Sequence, residues 1–369
     1  MKKWTTILIS VLMIFAFTAC GNNQQQVQDG TEFLTDSSES VSESTTENSE
    51  TILADSEAIS DAGSKELDEN YSAGFDYENR TVTLNDGNKM PILGLGTFML
   101  TPEEAENSTY WALESGFRLI DTADAYGNEA GVGRGLQRAI DEGIVTRNEV
   151  FITTKLWPQD YYNADEAINE RLEELGVEYI DLLLLHQAFG DYKAAYQEME
   201  KAVVDGRVRS IGLSNFYEET FDDVISFAEI TPAVLQNEMN PTYQQVVMRE
   251  HIEEYKTRIM AWFPLGGRGH TQEMFNNPTI VAIAEAHGKS PAQIVLRWHM
   301  QVGSIAIPGS SNADHIQENF EIFDFELTEE EMEQMRKLET GVGTYNFTND
   351  ESDRFTGDND WVSDRAGEN

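Results

Sequence analysis

Four polar side chains of titratable types lie at or just after the ends of three apolar, strand-like runs. Asp121 closes one run, and Tyr126 follows it in the next loop. Lys155 closes the second run and His186 closes the third. Side chains of these types carry out acid–base chemistry where they converge. Each alone also has a structural explanation, because an Asp can cap a loop, a Lys can form an ion pair and a buried His is often a core residue.

These four residues converge only if their strands run parallel. Apolar runs with strand character occupy residues 92–97, 117–121, 150–155, 180–186, 208–214, 233–238, 259–263 and 304–307. Segments with helical period follow them at 102–115, 128–142, 164–175, 192–205, 218–228, 243–256, 290–300 and 312–320. Eight alternations of this kind predict an α/β fold, a (β/α)8 TIM barrel, in which chemistry lies at the C-terminal ends of the strands.

Two additions to the barrel are also predicted. Residues 80–84 and 89–91 flank an Asp86-Gly87 turn, which indicates an N-terminal β-hairpin at the bottom of the barrel. Residues 329–338 follow Thr328, an N-cap candidate with Glu331 three residues later, which indicates an extra C-terminal helix. We therefore expect one folded domain over residues 75–369.

Several motifs in this domain resemble those of the aldo-keto reductases, in particular bacterial diketogluconate-reductase-like members. The segments are 116–123 (GFRLIDTA), 126–129 (YGNE), 153–157 (TTKLW), 181–186 (DLLLLH), 211–216 (IGLSNF) and 307–310 (IPGS). They occur in the order of the family, and the resemblance extends from about residue 81 to residue 338.

The resemblance implies a NAD(P)H-dependent oxidoreductase that reduces aldehyde or ketone carbonyls to alcohols. Tyr126 would be the general acid, and Lys155 would lower the pKa of the phenol towards neutrality. Asp121 would keep Lys155 charged and oriented. His186 would donate a hydrogen bond to the carbonyl oxygen.

The resemblance also implies the positions that contact NADP(H) or NAD(H) and a small carbonyl substrate. The cofactor-binding residues would be Thr97, Asp121, Ser214, Asn215, Gln236, Trp262, Pro264, Leu265, Gly266, Pro308, Gly309, Ser310, Ser311, His315 and Asn319. Phe98, Trp157 and His186 would line the substrate pocket. Without the resemblance, Trp262 could equally be a barrel core residue.

Cofactor preference is expected to be weak. Members selective for NADPH carry a Lys directly after the Ile-Pro and an Arg six residues later, and both cations pair with the 2'-phosphate. Here these positions are Gly309 and His315. Because the bidentate donor is missing, we expect both NADPH and NADH to be used.

Residues 1–19 have the features of a lipoprotein signal peptide. Lys2 and Lys3 precede an apolar run that ends in Phe-Thr-Ala-Cys at Cys20, the only cysteine of the chain. This resembles a bacterial lipobox, with Phe17 in place of the more usual Leu, and it implies lipidation of Cys20. The alternative is an uncleaved N-terminal anchor. Either case predicts a protein held at the extracytoplasmic face of the cell membrane.

The net charge is strongly negative and unevenly distributed. The 369 residues carry 25 Lys and Arg against 66 Asp and Glu, a net charge of −41. Residues 21–74 hold 13 acidic residues and one basic residue, Lys65, so we expect residues 20–74 to form a disordered linker after lipidated Cys20. An acidic surface excludes nucleic-acid binding, and one cysteine excludes an intramolecular disulfide and a Cys-based zinc cluster.

Other possible functions are weighed on the same residues. A metal-dependent hydrolase is not supported, since no strand end carries metal ligands or a carboxylate pair, and no metal is expected. The spacing of the glycines at 131, 133 and 135 is similar to that of a dinucleotide-binding glycine motif. These glycines lie within a predicted helix, so close helix packing explains them better. Because nicotinamide cofactors are scarce outside cells, a catalytically silent surface lipoprotein used for binding or redox sensing stays open. We expect a monomer.

The C-terminal stretch from residue 341 to residue 369 is expected to fold over the pocket. Phe347, Phe355 and Trp361 are its candidate lid aromatics. An equally good alternative is that this acidic tail is partly frayed.

Overall fold

The structure is a computed structural model that describes residues 61–267 and 269–344. The predicted signal peptide (1–19), Cys20 and the candidate lid aromatics Phe347, Phe355 and Trp361 lie outside the described residues. Within the described ranges, no helix has both the length and the apolar character needed to cross a membrane.

Eight consecutive strands form the barrel. The strands of the described chain are β1 (Phe75–Asp76), β2 (Thr81–Thr83), β3 (Lys89–Pro91), β4 (Leu95–Gly96), β5 (Leu119–Asp121), β6 (Phe151–Leu156), β7 (Ile180–Leu185), β8 (Val208–Ser214), β9 (Val234–Glu238), β10 (Arg258–Trp262) and β11 (Ile305–Ala306). Strands β4 to β11 pair in chain order, and each neighbouring pair is parallel. A parallel bridge between Leu93 and Ala306 joins the last strand to the first, which confirms the predicted (β/α)8 barrel.

Helices surround this sheet. They are α1 (Asp61–Ser72), α2 (Pro102–Ser115), α3 (Glu129–Asp141), α4 (Ala164–Leu175), α5 (Tyr192–Asp205), α6 (Glu218–Phe227), α7 (Val246–Ile252), α8 (Thr271–Phe275), α9 (Pro278–His287), α10 (Pro291–Gln301), α11 (Ala313–Phe320) and α12 (Glu329–Arg336). The extra C-terminal helix is α12, and Thr328 and Glu331 form its capping box as predicted. Helix α7 is shorter than the predicted 243–256 because a 3-10 turn, Glu253–Tyr255, follows it.

The middle of the sheet is buried on both faces. Each residue of β7 is buried, from Ile180 to Leu185, as expected for a parallel strand covered by helices. Glycines let the outer helices approach closely. A Cβ on Gly131 would meet the Pro102 carbonyl oxygen at 2.1 Å, and one on Gly133 would meet the Leu175 carbonyl oxygen at 2.4 Å. This confirms that the glycine pattern serves helix packing.

The predicted hairpin is present at the N-terminal end of the barrel. Strand β2 pairs antiparallel with β3, and β1 adds a third strand on the other side of β2. The turn closes through a hydrogen bond from Leu84 N to Asn88 O (2.8 Å), and Gly87 adopts a positive φ of 89°. The sheet lies at the end of the barrel opposite to the predicted catalytic residues.

The linker prediction is wrong for its last part. Residues 61–72 form α1, in which Leu67 and Tyr71, four residues apart, are buried on the barrel. The side chain of Asp68 lies between Arg249 (2.9 Å) and Arg336 (3.3 Å). Tertiary ion pairs and two apolar side chains therefore order a segment whose composition alone favours disorder.

Candidate active site

The four candidate catalytic residues meet at the C-terminal end of the barrel. Asp121 is the last residue of β5, Lys155 lies near the end of β6 and His186 directly follows β7. Tyr126 ends a short 3-10 turn, Asp124–Tyr126, in the loop after β5. Parallel pairing of β5, β6 and β7 brings these ends side by side, as the sequence predicts.

A chain of short hydrogen bonds joins three of these residues. The Nζ atom of Lys155 donates to Asp121 Oδ1 at 2.7 Å, to the Thr122 carbonyl oxygen at 2.8 Å and to the Tyr126 hydroxyl oxygen at 3.2 Å. Gln236 Nε2 donates to the other Asp121 oxygen at 2.8 Å. The Lys155 side chain is completely buried. The ammonium is therefore held in one place, with one donor on the phenol.

The electrostatics of this chain keep the ammonium charged. Burial acts to lower the pKa of Lys155, but the Asp121 carboxylate and then the Tyr126 phenol outweigh burial and leave that pKa raised. A buried ammonium is tolerated only with such a partner. Lys155 therefore presents a fixed positive charge to Tyr126.

Lys155 acts on the pKa of Tyr126 in the predicted direction, but the net shift of that pKa is opposite to the prediction. We expected Lys155 to lower the pKa of this phenol. Burial has the larger effect and raises the pKa of Tyr126, while attraction by Lys155 opposes it. The reason is that a phenolate in this closed site loses more hydration than one ammonium at 3.2 Å restores. Tyr126 is therefore a neutral phenol at physiological pH, with a proton to donate.

Aromatic side chains pack near the ring of Tyr126. The ring of His186 lies edge-on to Tyr126 with centroids 5.7 Å apart, and Trp157 lies edge-on to His186 at 4.9 Å. Phe98 packs against Tyr126 with centroids 4.9 Å apart. Phe98 and Trp157, the predicted substrate-pocket residues, thus lie against Tyr126 and His186.

His186 is a neutral imidazole. Burial, and then the positive charge of Lys155, hold the pKa of His186 well below its ordinary value. Its Nδ1 atom is buried and has no hydrogen-bond partner among the described residues. A neutral imidazole carries a single N–H donor. It can direct that donor at a ligand oxygen without adding charge beside Lys155.

A group of buried polar residues expected to hold the nicotinamide surrounds this site. Ser214 ends β8 and Asn215 follows it with a φ of 59°, while Gln236 lies on β9. The Asn215 side chain donates to the His186 carbonyl oxygen at 3.0 Å and accepts from Trp262 Nε1 at 3.0 Å. The structure therefore links Ser214, Asn215, Gln236 and Trp262 to the four catalytic candidates.

The other predicted cofactor positions lie on the same end of the barrel in two loops. Pro264, Leu265 and Gly266 follow β10, and Gly266 has a φ of 89°. Pro308, Gly309, Ser310 and Ser311 follow β11, and His315 and Asn319 lie on α11. Thr97 joins these loops to the site, because its Oγ1 donates to the Asp121 carbonyl oxygen at 3.1 Å.

A close approach between two strands shapes the loop after β11. Gly96 N donates to the Pro308 carbonyl oxygen at 3.1 Å, and a Cβ on Gly309 would meet the Gly96 carbonyl oxygen at 2.9 Å. None of the predicted residues in this loop or on α11 hydrogen-bonds to the four catalytic candidates within the described ranges. The predicted cofactor residues after β11 and on α11 therefore form a group separate from the four catalytic candidates.

Sequence reasoning missed the residues that hold the Tyr126 turn in place. Buried Asn128 donates to the carbonyl oxygens of Thr97 (2.8 Å) and Leu100 (2.9 Å). Arg171 on α4 forms an ion pair with Asp124, which lies in the same turn as Tyr126. The Asn128 position was visible within a motif, but the Arg171 contact joins distant segments and has no local signal.

The Arg171 ion pair continues to the strand that carries Lys155. Arg171 Nε lies 3.2 Å from Glu129 Oε2, and Thr154 Oγ1 donates to Glu129 Oε1 at 2.5 Å. Glu129 and Arg171 are both buried. This network ties the turn of Tyr126 to β6 from behind the site.

Comparisons with known proteins agree with this architecture. A family model described as the aldo/keto reductase family matches residues 92–340. The chain is 42% identical over 275 residues to morphine 6-dehydrogenase of Pseudomonas putida, covering 71% of this chain and 92% of that protein. It is 43% identical over 268 residues to an aldo-keto reductase of Mycolicibacterium smegmatis, again covering 71% and 92%.

Solved structures show the same likeness. The crystal structure of an aldo-keto reductase of Bombyx mori in complex with NADP matches with a TM-score of 0.70 and 36% identity, covering 74% of this chain and 96% of that one. An aldo/keto reductase of Brucella melitensis matches with a TM-score of 0.66 and 39% identity, covering 70% and 98%. The chain belongs to the aldo/keto reductase family, a family of oxidoreductases.

Proposed function

We propose that this protein reduces aldehyde or ketone carbonyls to alcohols with NADPH or NADH, and that Tyr126 is the general acid. The observation that carries the proposal is the buried hydrogen-bond chain from Asp121 through Lys155 to Tyr126. It places a neutral phenol beside a fixed positive charge, at the closed end of an aromatic cleft. Such a pair can deliver a proton and stabilise the anion that remains.

The residues present fit a nicotinamide dinucleotide. Ser214, Asn215 and Gln236 are polar and almost fully buried at the strand ends. The close approach of Gly309 to Gly96 leaves no room for a side chain there. Relatives with this architecture include one solved with NADP. The dinucleotide, when bound, would supply a hydride to the carbonyl carbon.

The side chains of this protein would supply the proton and the orientation. His186 donates its N–H to the carbonyl oxygen, which polarises the carbonyl and fixes its position. The Tyr126 hydroxyl donates its proton to the same oxygen as negative charge develops there. The phenolate left behind is stabilised by the Lys155 ammonium and is reprotonated from solvent. Hydride and proton together convert the carbonyl to an alcohol.

The aromatic wall would exclude water during this step. Trp157 and Tyr126 pack against His186 with ring centroids 4.9 and 5.7 Å away, and Phe98 packs against Tyr126 at 4.9 Å. Water excluded from the cleft strengthens the attraction between Lys155 and the developing phenolate.

The test is the oxidation of NADPH and NADH by the purified full-length chain with a panel of aldehydes, ketoaldehydes and diketo sugar acids. Tyr126→Phe is expected to lower kcat about 1000-fold, since general acid catalysis typically contributes 10²–10⁴-fold. Cofactor affinity should stay within twofold of the original, because the phenol ring is retained. A variant that keeps most of its turnover would remove Tyr126 from the proposed role.

The cofactor preference is proposed to be weak. His315 is exposed on α11, and Ser310 is engaged with Asn312 through its Oγ atom (3.1 Å). No Lys or Arg stands at positions 309 to 315 to pair with a 2'-phosphate. The ratio of kcat/KM for NADPH and NADH should stay below about 1000, or about 4 kcal/mol. A larger ratio would mean that another group selects NADPH.

The substrate class is proposed to be small aldehydes, ketoaldehydes or diketo sugar acids, as in diketogluconate-reductase-like members. The residues after His186 (187–191, QAFGD) resemble those of such bacterial members. The relative from Pseudomonas putida is named for a dehydrogenase reaction on morphine, so alcohols of larger ring systems belong in the panel.

We also propose that Cys20 is lipidated and holds the protein, as a monomer, at the extracytoplasmic face of the membrane. Two acyl chains at that residue would anchor the chain durably. Mass spectrometry of the mature N-terminus from membranes would report a diacylated Cys20, and Cys20→Ser should release the protein into the soluble fraction. An unmodified Cys20 behind an intact N-terminus would favour the uncleaved anchor.

The alternative is a catalytically silent surface protein of the same family. The export signal favours it, because a chain secreted unfolded leaves its cofactor behind. Tight cofactor binding without turnover across the whole panel would support this alternative.

A further inference from the structure

A groove of about 630 Å³ lies at the N-terminal end of the barrel, opposite to the catalytic cleft. Arg80 and Lys89 of the hairpin line one side. Phe151 at the start of β6 and Arg209 near the start of β8 line the floor. Its volume is in the range of small-molecule sites. No role in carbonyl reduction accounts for it, because the reacting groups are at the other end.

Arg80 is the most unusual residue of this groove. Its guanidinium carbon lies 4.7 Å from the ring centroid of Phe320 and 4.5 Å from that of Phe323. Its backbone has a φ of 56°, in the left-handed region that a side chain of this size rarely adopts. Its side chain forms no hydrogen bond or ion pair with any described residue. The aromatic rings thus hold the guanidinium while its N–H donors stay available.

Two further cations in the groove form no direct ion pair with a described carboxylate. Lys89 is exposed and has no ion pair with a described residue, although it attracts the Asp76 carboxylate. Arg118 donates through Nη1 to the carbonyl oxygens of Leu113 (3.1 Å) and Phe117 (2.7 Å), and no described carboxylate lies within ion-pair distance of it. Neutral carbonyls orient this guanidinium, and the Glu149 carboxylate attracts it without a direct ion pair.

Three carboxylates also line the groove, and two of them have other hydrogen-bond or ion-pair partners. Asp181 is shared by Arg147 (2.8 Å) and Arg209 (3.1 Å). Glu149 accepts hydrogen bonds from the side chain and backbone of Thr146. Glu78 lines the groove as well but forms no ion pair with these cations. Arg80, Lys89 and Arg118 therefore line one cavity without a direct ion pair to a described carboxylate, in a chain whose net charge is −41.

We propose that this groove binds a small organic phosphate. Arg80, Lys89 and Arg118 would hold the phosphate group, and the rings of Phe320 and Phe323 would contact the organic part. A phosphate monoester carries nearly two negative charges and matches this cluster better than a single carboxylate. A free phosphate ester and a phospholipid headgroup share this chemistry.

Calorimetric titration of the full chain in detergent would test the proposal with two probes. One probe is inorganic phosphate, and the other is glycerophosphoglycerol, a soluble lipid headgroup. We expect saturable binding of at least one. Arg80→Gln should weaken the affinity for the probe at least tenfold. The affinity of Arg80→Lys should lie between those of the unmodified chain and Arg80→Gln, because the charge is kept but the planar guanidinium is lost.

A matched control uses another exposed arginine. Arg134→Gln on α3 makes the same charge change at an ion pair with Glu106 (2.6 Å) and should leave phosphate binding within twofold. Stronger binding of the headgroup would indicate that the natural ligand is a lipid. Stronger binding of inorganic phosphate would indicate a free phosphate ester.

Three outcomes would overturn the proposal. They are the absence of saturable binding for both probes, equal weakening by Arg134→Gln, and displacement of phosphate by an equal concentration of acetate. Turnover of carbonyl substrates by Arg80→Gln should equal that of the unmodified chain. The proposal is therefore independent of the proposed reaction.

Discussion

Two buried ion pairs lie at opposite ends of the barrel. They use similar residue types but have different roles. At the catalytic end, Asp121 pairs with Lys155 at 2.7 Å. At the N-terminal end, Asp68 of α1 pairs with Arg249 at 2.9 Å and with Arg336 at 3.3 Å. Each carboxylate is buried, and each needs its cationic partner to be tolerated there.

The difference lies in what the cation touches next. Lys155 also donates to the Tyr126 hydroxyl, a group that can lose a proton. Arg249 also donates to the Val302 carbonyl oxygen at 2.7 Å, which has no proton to give. Burial of an ion pair is therefore not a mark of catalysis. A better mark of catalysis is contact between the buried cation and a group that changes charge during a reaction.

The largest effect should come from removing the catalytic pair as a unit. Lys155→Met with Asp121→Asn takes away the charge beside Tyr126 and leaves no unpaired ion. We expect kcat to fall about 1000-fold, because the phenolate loses its stabilising cation. Steady-state kinetics with a saturating aldehyde measures it. Thermal unfolding should change little, and a fall of less than tenfold would separate Lys155 from the proton transfer.

The second effect tests the other pair. Asp68→Asn leaves Arg249 buried without a counter-charge, while Arg336 keeps its ion pair with Glu329 at 2.6 Å. The free energy of unfolding should fall by about 3–5 kcal/mol. Chemical denaturation would report the loss. Turnover per folded molecule should be unchanged. Equal damage to kcat would mean that the two ends of the barrel are coupled.

A smaller effect is expected from the network behind the Tyr126 turn. Arg171→Leu removes the links to Asp124 and Glu129, so the turn can shift relative to β6. We expect kcat to fall on the order of tenfold, because small displacements of a proton donor are costly. Pre-steady-state rates with the cofactor in excess would measure it. Arg171→Lys should recover part of the loss, and an unchanged kcat with a lower melting temperature would limit Arg171 to stability.

The smallest effect concerns one hydrogen bond of α1. The Tyr71 hydroxyl donates to the Arg249 carbonyl oxygen at 2.7 Å. Tyr71→Phe should lower the free energy of unfolding by about 1 kcal/mol. Chemical denaturation of the two proteins would show this loss, provided that the unfolding free energy depends on denaturant concentration with the same slope in both. Tyr77→Phe is a suitable comparison, since Tyr77 also donates to a backbone carbonyl, that of Met300, at 2.8 Å. A loss above about 3 kcal/mol for Tyr71→Phe would point to more than one hydrogen bond.

The catalytic end was predictable from the sequence because it depends on strand register. Apolar runs locate the strands, and parallel pairing then brings Asp121, Lys155 and His186 to one end. The helices α8 and α9 were not predicted, although Ile280, Ile283 and Ala284 form a buried face of α9. That segment lies between the predicted strand at 259–263 and the predicted helix at 290–300. A barrel of eight strands and eight helices has no further helix there.

The rest depends on contacts between distant segments. Helix α1 has few apolar residues, and the ion pairs that order it reach residues 181 and 268 positions away. The groove cations Arg80, Lys89 and Arg118 are likewise separated along the chain, and only folding brings them to one cavity. Local composition carries no signal for either feature. The raised pKa of Tyr126 was missed for a related reason, since it depends on how completely the folded site excludes water.

The two ends of the described chain lie at opposite poles of the barrel. Helix α1 packs beside the strand starts, where the Arg258 side chain donates to the Tyr71 carbonyl oxygen at 3.1 Å. At the far pole, Thr344 N donates to Glu238, the last residue of β9, at 2.9 Å. A label attached at Asp61 would therefore lie at the pole away from the cleft. A label attached at Thr344 would lie beside the cleft.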